Sequence, residues 1–126
     1  MPVTFVYAAE SPPAPYVLVT LARLDGAIVA TDLPAKVDTG AAQTVIPTPV
    51  AERLGLEAVA RHDFEGLGGQ RVTLSVFRLF LTIRGCPTFE LNVAGSDGEP
   101  YILLGRDVLN HFHITLDGPN GKLIIG

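Results

Sequence analysis

Covalent cross-links within the chain are excluded by its cysteine content. Cys86 is the single cysteine among 126 residues, so no intramolecular disulfide can form. The fold must therefore be held by burial and hydrogen bonds, and it is compatible with a reducing compartment. A lone cysteine beside a predicted strand is more often a small core hydrophobe than a nucleophile.

Positive charge is also scarce. The chain carries 9 Lys and Arg against 13 Asp and Glu, for a net charge of −4, and its basic residues form no cluster. The electrostatic surface that nucleic acid or an anionic membrane requires is missing, so neither is an expected partner. Residues 1–10 have no basic leader and no long apolar run follows, which predicts a cytoplasmic protein.

Residues that favour strands and turns are abundant. Hydrophobic residues make up 48% of the chain, and it has 13 glycines, 10 prolines and no tryptophan. A chain of this length is expected to bury one core, so residues 1–126 are predicted to form a single domain. The pattern predicts a small, closed, mostly antiparallel β domain with two short helices.

Alternation and turn residues predict the order of the elements. A first hairpin is expected over residues 16–30, and a helix after Thr48 as its cap, with Pro49 in its first turn and Gly55 at its exit. Residues 94–100 are expected to form a surface loop, and residues 107–111 a second helix. The remaining predicted strands are 35–37, 44–46, 58–64, 71–83, 86–93, 101–105, 114–116 and 122–125.

The triplet Asp38-Thr39-Gly40 follows a short predicted strand. An aspartate on such a loop can present its carboxylate to open space, and the hydroxyl of Thr39 could bond to a neighbouring loop and fix that geometry. Glycine lets the backbone approach another segment closely. Alone, however, an aspartate before Thr-Gly is more often a turn or an Asx-type cap.

Two downstream segments favour a functional role for the triplet over a simple turn. Asp38-Thr39-Gly40-Ala41 is followed by a predicted hairpin tip, Gly66-Leu67-Gly68-Gly69, and then by Leu103-Leu104-Gly105 before a helix. In this order the segments resemble the retroviral-type aspartic proteases, over roughly residues 16–126. The end of the chain is similar to the retroviral-like protease domain of the DNA-damage-inducible proteins.

The resemblance implies a fold and a set of functional residues. The fold would be a closed antiparallel β-barrel with one or two short helices, forming one half of a homodimer. Asp38, Thr39 and Gly40 would be the catalytic loop, and Gly105 would let one strand pass close behind it. The substrate, a peptide or protein, would contact the following residues: Ala41, Gly66, Leu67, Gly68, Gly69 and Ile102. Residues 66–69 would form the flap, and the apolar contacts suggest hydrophobic side chains beside the cut.

The second catalytic carboxylate has to come from outside the chain. Aspartic proteolysis uses two carboxylates that share a proton, with no metal or other cofactor. Asp25, Asp97 and Asp117 each precede a glycine, but in turn contexts and without the Asp-Thr-Gly pattern. A two-fold axis would supply a second Asp38 from a second copy, so a homodimer is expected.

One position departs from the family pattern. Retroviral enzymes usually carry an aspartate directly after the alanine of the catalytic loop, where it pairs with the arginine that follows the downstream glycine. This chain has Ala42 there. Arg106 is therefore expected to find another carboxylate, such as Asp32 or Asp117, or a carbonyl.

Two other functions remain open from the sequence. The same fold could serve as a catalytically inactive dimerisation or peptide-binding module, with Asp38 as a structural hydrogen-bond acceptor. A generic β-barrel that binds small ligands would explain the strands but not the paired motifs. The histidines, of which His111 and His113 lie two residues apart, have no patterned cysteine or acidic ligand and do not indicate a metal site.

Overall fold

The computed structural model describes residues 2–65 and 68–126. In that part of the chain the elements, in order, are β1 (Val3–Val6), β2 (Tyr16–Ala22), β3 (Ile28–Val37), β4 (Val45–Pro47), α1 (Thr48–Arg53), β5 (Ala58–Glu65), β6 (Arg71–Ile83), β7 (Thr88–Ser96), β8 (Ile102–Leu104), α2 (Arg106–Leu109), β9 (Ile114–Asp117) and β10 (Lys122–Ile125). Neither helix in these two ranges is long and apolar enough to cross a membrane.

Six strands close into a barrel. They pair in the order β2-β3-β8-β4-β7-β6, and β6 pairs back with β2. Most neighbours are antiparallel, but β3–β8 and β4–β7 are parallel. The closed, mostly antiparallel barrel with two short helices confirms the fold predicted from the sequence. Strands β1, β10 and β9 form a separate three-stranded sheet.

The core fills the barrel because alternate side chains of its strands point inward. On β2 the side chains of Val17, Val19 and Leu21 are buried, and the residues between them are half-buried. Each fully buried aliphatic side chain of this kind contributes about 1.5–3 kcal/mol relative to an exposed one. The other large, fully buried side chains are Ile46, Val76, Leu79, Leu81, Ile83, Val93, Leu104, Val108 and Leu123.

A two-stranded extension projects from the barrel. Strand β5 pairs with β6 from Glu65–Arg71 to Ala58–Phe77, and β6 joins β7 only from Val76 onward. The side chains of β5 are mostly exposed. We call residues 61–65 and 71–75 the hairpin arm, since these two segments pair with each other and with no other strand in the described part of the chain.

Pairing between strands produces extended segments that the local sequence does not predict. Strand β1 was not predicted, and it exists because it pairs with β10. Residues 94–96, predicted as a loop, continue β7 because β4 lies parallel beside them. Strand β3 runs on through residues 31–34, with Asp32 at φ +54.

The first helix begins differently from the prediction and ends as predicted. Thr48 is the first helical residue; Pro47 is the N-cap, and no side chain caps the helix. The reason is that Pro47 is still in extended conformation at the end of β4, so the chain enters the helix directly. Gly55 has φ +71, the left-handed exit expected of it.

Candidate active site

Asp38 lies on the loop that connects β3 to β4. Strand β8 lies between these two strands, parallel to β3 and antiparallel to β4, so the loop must cross the end of β8. The amide of Asp38 donates a hydrogen bond to the carbonyl of Leu104, at 3.0 Å, which extends the β3–β8 pairing to the aspartate. The topology thus fixes Asp38 at the carboxyl end of two parallel strands.

The carboxylate of Asp38 is held by its own loop. The amide of Gly40 donates to Oδ1 of Asp38 at 3.0 Å, and the amide of Ala41 donates to the carbonyl of Asp38 at 3.2 Å. The first of these bonds is the Asx-type turn that the triplet alone predicts. Within residues 2–65 and 68–126, Oδ2 of Asp38 accepts no hydrogen bond, so the turn leaves one carboxylate oxygen unengaged.

A cavity of about 330 Å³ opens beside Asp38. The alternation along β8 turns Leu103 toward this cavity and Ile102 into the core, where Ile102 is 4% exposed. Ile102 does not line the cavity, which is bordered by its neighbours Tyr101 and Leu103, so the cavity gives no support to the substrate contact predicted for Ile102. The residues that line the cavity are Lys36, Val37, Asp38, Glu99, Tyr101 and Leu103.

Gly105 passes directly behind the Asp38 loop. A Cβ on Gly105 would lie 2.7 Å from the carbonyl carbon of Gln43, 2.8 Å from its oxygen and 2.9 Å from the carbonyl oxygen of Ala41. All three are backbone atoms, which cannot move aside as a flexible side chain can. The close passage that the family resemblance implies for this glycine is present.

Arg106 donates two hydrogen bonds to the backbone of the Asp38 loop. Its amide donates to the carbonyl of Ala41 and its Nη1 to the carbonyl of Thr39, both at 2.8 Å. The expected replacement for the missing family partner is thus a carbonyl. The carboxylate alternatives have other partners: Asp32 pairs with Arg84 at 2.7 Å, and Asp117 accepts hydrogen bonds from Asn120.

A hydrogen-bond network under the loop was missed by the sequence reading. Thr44 is fully buried; its amide donates to Oδ2 of Asp107 at 2.9 Å and its hydroxyl to Oδ1 at 2.7 Å. The same hydroxyl accepts a bond from the amide of Gly105 at 3.1 Å. The available signal was a threonine among apolar residues, Val45 and Ile46, with an acidic residue in the first turn of α2.

Thr44→Val is expected to destabilise the protein by about 2 kcal/mol, because valine keeps the shape but leaves the amide of Gly105 without a partner and removes one of the two hydrogen bonds to Oδ1 of Asp107. Urea unfolding measures the change. The matched control is Thr115→Val on β9, where the side chain is exposed and forms no hydrogen bond with residues 2–65 or 68–126. Equal stability of the two variants would contradict a structural role for this network.

The remaining predicted site residues are Thr39, on the Asp38 loop, and residues 66–69, which follow β5 in the chain. Thr39 is exposed, and in the described ranges its carbonyl is bonded to Arg106 while its hydroxyl has no partner. Gly66 and Leu67, predicted to be part of a flap, lie outside the described residues. Gly68 and Gly69 follow at the end of the hairpin arm with φ +86 and +79, a backbone conformation that favours glycine.

A second cluster, also missed by the sequence, adjoins the cavity. Nζ of Lys36 lies 2.7 Å from Oε1 of Glu10 and 3.4 Å from the hydroxyl of Tyr101, and the hydroxyl of Tyr16 donates to Oε2 of Glu10 at 2.8 Å. The bond to Glu10 raises the pKa of Lys36, and the bond from Lys36 lowers the pKa of Glu10. Burial, then bonds to Tyr101 and Glu10, raises the pKa of Tyr16.

Comparisons with known proteins agree with this geometry. The sequence model of a family described as aspartyl protease matches residues 21–108. No curated protein matches the chain. A retropepsin-like aspartic protease from Rickettsia conorii is similar in structure, with a TM-score of 0.66 and 19% identity over 99% of this chain and 91% of that one.

Two further solved structures are similar. The EIAV protease in complex with the inhibitor HBY-793 has a TM-score of 0.60 and 24% identity, over 85% of this chain and 93% of that one. The retroviral protease-like domain of Ddi1 from Leishmania major has a TM-score of 0.52 and 19% identity, over 82% of this chain and 81% of that one. At these identities the likeness establishes the fold and confirms the resemblance found in the sequence.

Proposed function

Because the chain belongs to the aspartyl protease family, we propose that it is an aspartic endopeptidase that works as a homodimer, with one Asp38 from each copy. The observation that carries the proposal is the carboxylate of Asp38. One oxygen is fixed by the amide of Gly40, the other has no partner in the described chain, and the group borders a cavity. A carboxylate that served only as a turn acceptor would not need that cavity.

The proposed reaction needs two such carboxylates facing each other. One is ionised and draws a proton from a water molecule, which then attacks the peptide carbonyl carbon. The other is protonated and gives its proton to the carbonyl oxygen, so a single proton shared by the pair serves both roles. Collapse of the tetrahedral intermediate breaks the C–N bond; the departing nitrogen takes the proton that the first carboxylate drew from water, and a hydroxyl of the intermediate returns a proton to the second carboxylate.

The second subunit would contribute by symmetry. Residues 1–126 are proposed to be one domain and one subunit, with the two-fold axis next to Asp38. Thr39 lies at this exposed edge, where its hydroxyl is available to a loop of the other copy. Cytoplasmic location, predicted from the sequence, stays a prediction.

The substrate would be an extended peptide that runs past Asp38. Ala41, whose backbone is fixed at both its amide and its carbonyl, would help to form the floor of the groove. Gly68 and Gly69 lie at the end of the hairpin arm, which we propose to close over the peptide as a flap. The flap, like the contacts of Gly66 and Leu67, is carried over from the sequence prediction.

The protein is expected to sediment as a dimer and to cleave peptides only in that form. Sedimentation velocity across a dilution series, with turnover of a mixed peptide library in the same samples, tests this. Specific activity should fall with dimer dissociation, and a pepstatin-like inhibitor should restore the dimer, because a ligand shared between subunits favours assembly. A strict monomer with pepstatin-sensitive turnover would contradict the shared pair of carboxylates.

The alternative function is a catalytically inactive module that dimerises or binds peptides. The observation in its favour is the Gly40–Asp38 bond, since a structural acceptor would make the same contact. Such a module would bind the peptide library without cutting it. The Asp38→Asn variant described in the Discussion separates the two functions.

A further inference from the structure

The charges around the Asp38 cavity do not cancel. Lys36 is the one basic residue in the lining, and its ammonium is already paired with Glu10 at 2.7 Å. Both carboxylate oxygens of Glu10 are engaged, by Lys36 and by Tyr16. The charges of Lys36 and Glu10 therefore cancel. The net charge of the cavity is then that of the acidic residues in its lining, Asp38 and Glu99.

Glu99 is the acidic group without a counter-ion. It is half-buried, it lines the cavity with Asp38, and it forms no ion pair or side-chain hydrogen bond with residues 2–65 or 68–126. A carboxylate accepts hydrogen bonds and donates none when it is ionised. The cavity thus presents one unmatched negative charge beside the proposed catalytic group.

Tyr101, the aromatic residue of the lining, and its neighbour Tyr16 engage Lys36 through their rings. Nζ of Lys36 lies 5.3 Å from the ring centroid of Tyr101 and 5.8 Å from that of Tyr16, within the range of cation–π attraction. The two rings meet edge to face, with centroids 5.5 Å apart. These contacts and the bond to Glu10 engage Lys36, and among the described residues it forms no ion pair with Glu99.

We propose that this cavity receives a basic side chain of the substrate, with Glu99 as its counter-ion, so that the enzyme cleaves beside arginine or lysine. The inference rests on the proposed function, since it assigns a substrate class to the same site. It differs from the hydrophobic preference expected from the sequence, which relied on Ala41, Leu67 and Ile102. The cavity volume of about 330 Å³ is sufficient for one long side chain.

Other side chains fit the cavity less well. An aliphatic side chain would strip water from Glu99 without giving it a partner, which is unfavourable for a carboxylate. An acidic side chain could reach Lys36 only by approaching Glu10 as well, and it would also face Glu99 and Asp38. Like charges at such separations disfavour binding.

The test uses a pair of inhibitors that differ in charge alone. Both are peptides with a non-cleavable hydroxyethylene unit in place of the scissile bond; one carries arginine beside it and the other citrulline, which has nearly the same shape but no charge. Calorimetry gives the two dissociation constants for the wild type, for Glu99→Gln and for Asp97→Asn. Asp97 is the matched control because it is an exposed acidic residue of the same loop outside the cavity lining.

The wild type is expected to bind the arginine inhibitor about tenfold more tightly than the citrulline one, as a charge-assisted hydrogen bond to a partly desolvated carboxylate allows. Glu99→Gln should reduce the ratio to about one, while Asp97→Asn should keep it. Equal binding of the two inhibitors, tighter binding of citrulline, or a preference that survives Glu99→Gln would each overturn the inference.

Cleavage of the corresponding peptides separates this inference from the proposed function. Turnover of both peptides without preference for arginine leaves the protease function intact and overturns the basic specificity. A preference in inhibitor binding without turnover of any peptide supports the basic site and overturns the catalytic proposal. Failure to bind either inhibitor overturns the inference.

Discussion

Asp38→Asn is expected to abolish peptide-bond hydrolysis and to leave the barrel folded. Asparagine keeps the size of the side chain and an oxygen that can still accept the bond from Gly40, but it can neither take a proton from water nor give one to the carbonyl oxygen. Loss of general acid–base catalysis of this kind lowers kcat by a factor on the order of a thousand or more. A fluorogenic peptide identified from the library gives kcat/KM for both proteins.

Asp97→Asn is the matched control for this variant, since it removes a carboxylate from an exposed loop and should leave turnover unchanged. Two facing Asp38 carboxylates repel each other when both are charged, so the inactive variant is expected to be at least as stable and as dimeric at neutral pH. Turnover that survived Asp38→Asn would rule out the proposed mechanism. Unfolding of the variant would instead identify Asp38 as a structural acceptor and favour the inactive module.

Gly105→Ala is expected to destabilise the protein by about 3 kcal/mol or more, a large part of the 5–15 kcal/mol typical of a domain. The added methyl group would lie within 3 Å of three backbone atoms of Gln43 and Ala41. Relief requires the Asp38 loop to move away from β8, which would break the bond between Thr44 and Gly105 as well. Thermal unfolding should show a melting temperature lower by about 10 °C or more.

Gly98→Ala provides the comparison, because a Cβ there has no atom within 4 Å and the residue does not have a positive φ. Its stability should stay within about 0.5 kcal/mol of the wild type. If Gly105→Ala melted at the wild-type temperature, the loop would have to be deformable, and the close packing behind Asp38 could not be what fixes the carboxylate.

Sequence reasoning located the parts of the site that depend on short segments. The Asp38 loop, Gly105 behind it and the left-handed helix exit at Gly55 each depend on a residue type that few others can replace at that position. The strands with strong alternation were also predictable. At these positions the preference of the local residues agrees with the final fold, and such local preferences can be recognised in a single sequence.

The errors have a common physical origin in pairing across long sequence distances. Residues 94–96 are Ala-Gly-Ser, a composition that disfavours strands, yet they are extended because β4 lies alongside. Position 95 requires a glycine, since a Cβ there would lie 2.9 Å from the ring of Phe77. The pair of Lys36 with Glu10, which neutralises the basic residue of the cavity lining, joins residues 26 positions apart and has no local signature.

The hairpin arm is expected to open more readily than the barrel unfolds. Within the described residues, segments 61–65 and 71–75 pair with each other alone, and most side chains of β5 are exposed, so opening the arm breaks few contacts of the barrel. We expect the free energy needed to open the arm locally to be lower than the free energy of unfolding of the whole domain. Substitutions on the arm can therefore change how often the arm opens without changing the midpoint of global unfolding, whereas substitutions in the buried barrel strands are expected to change that midpoint.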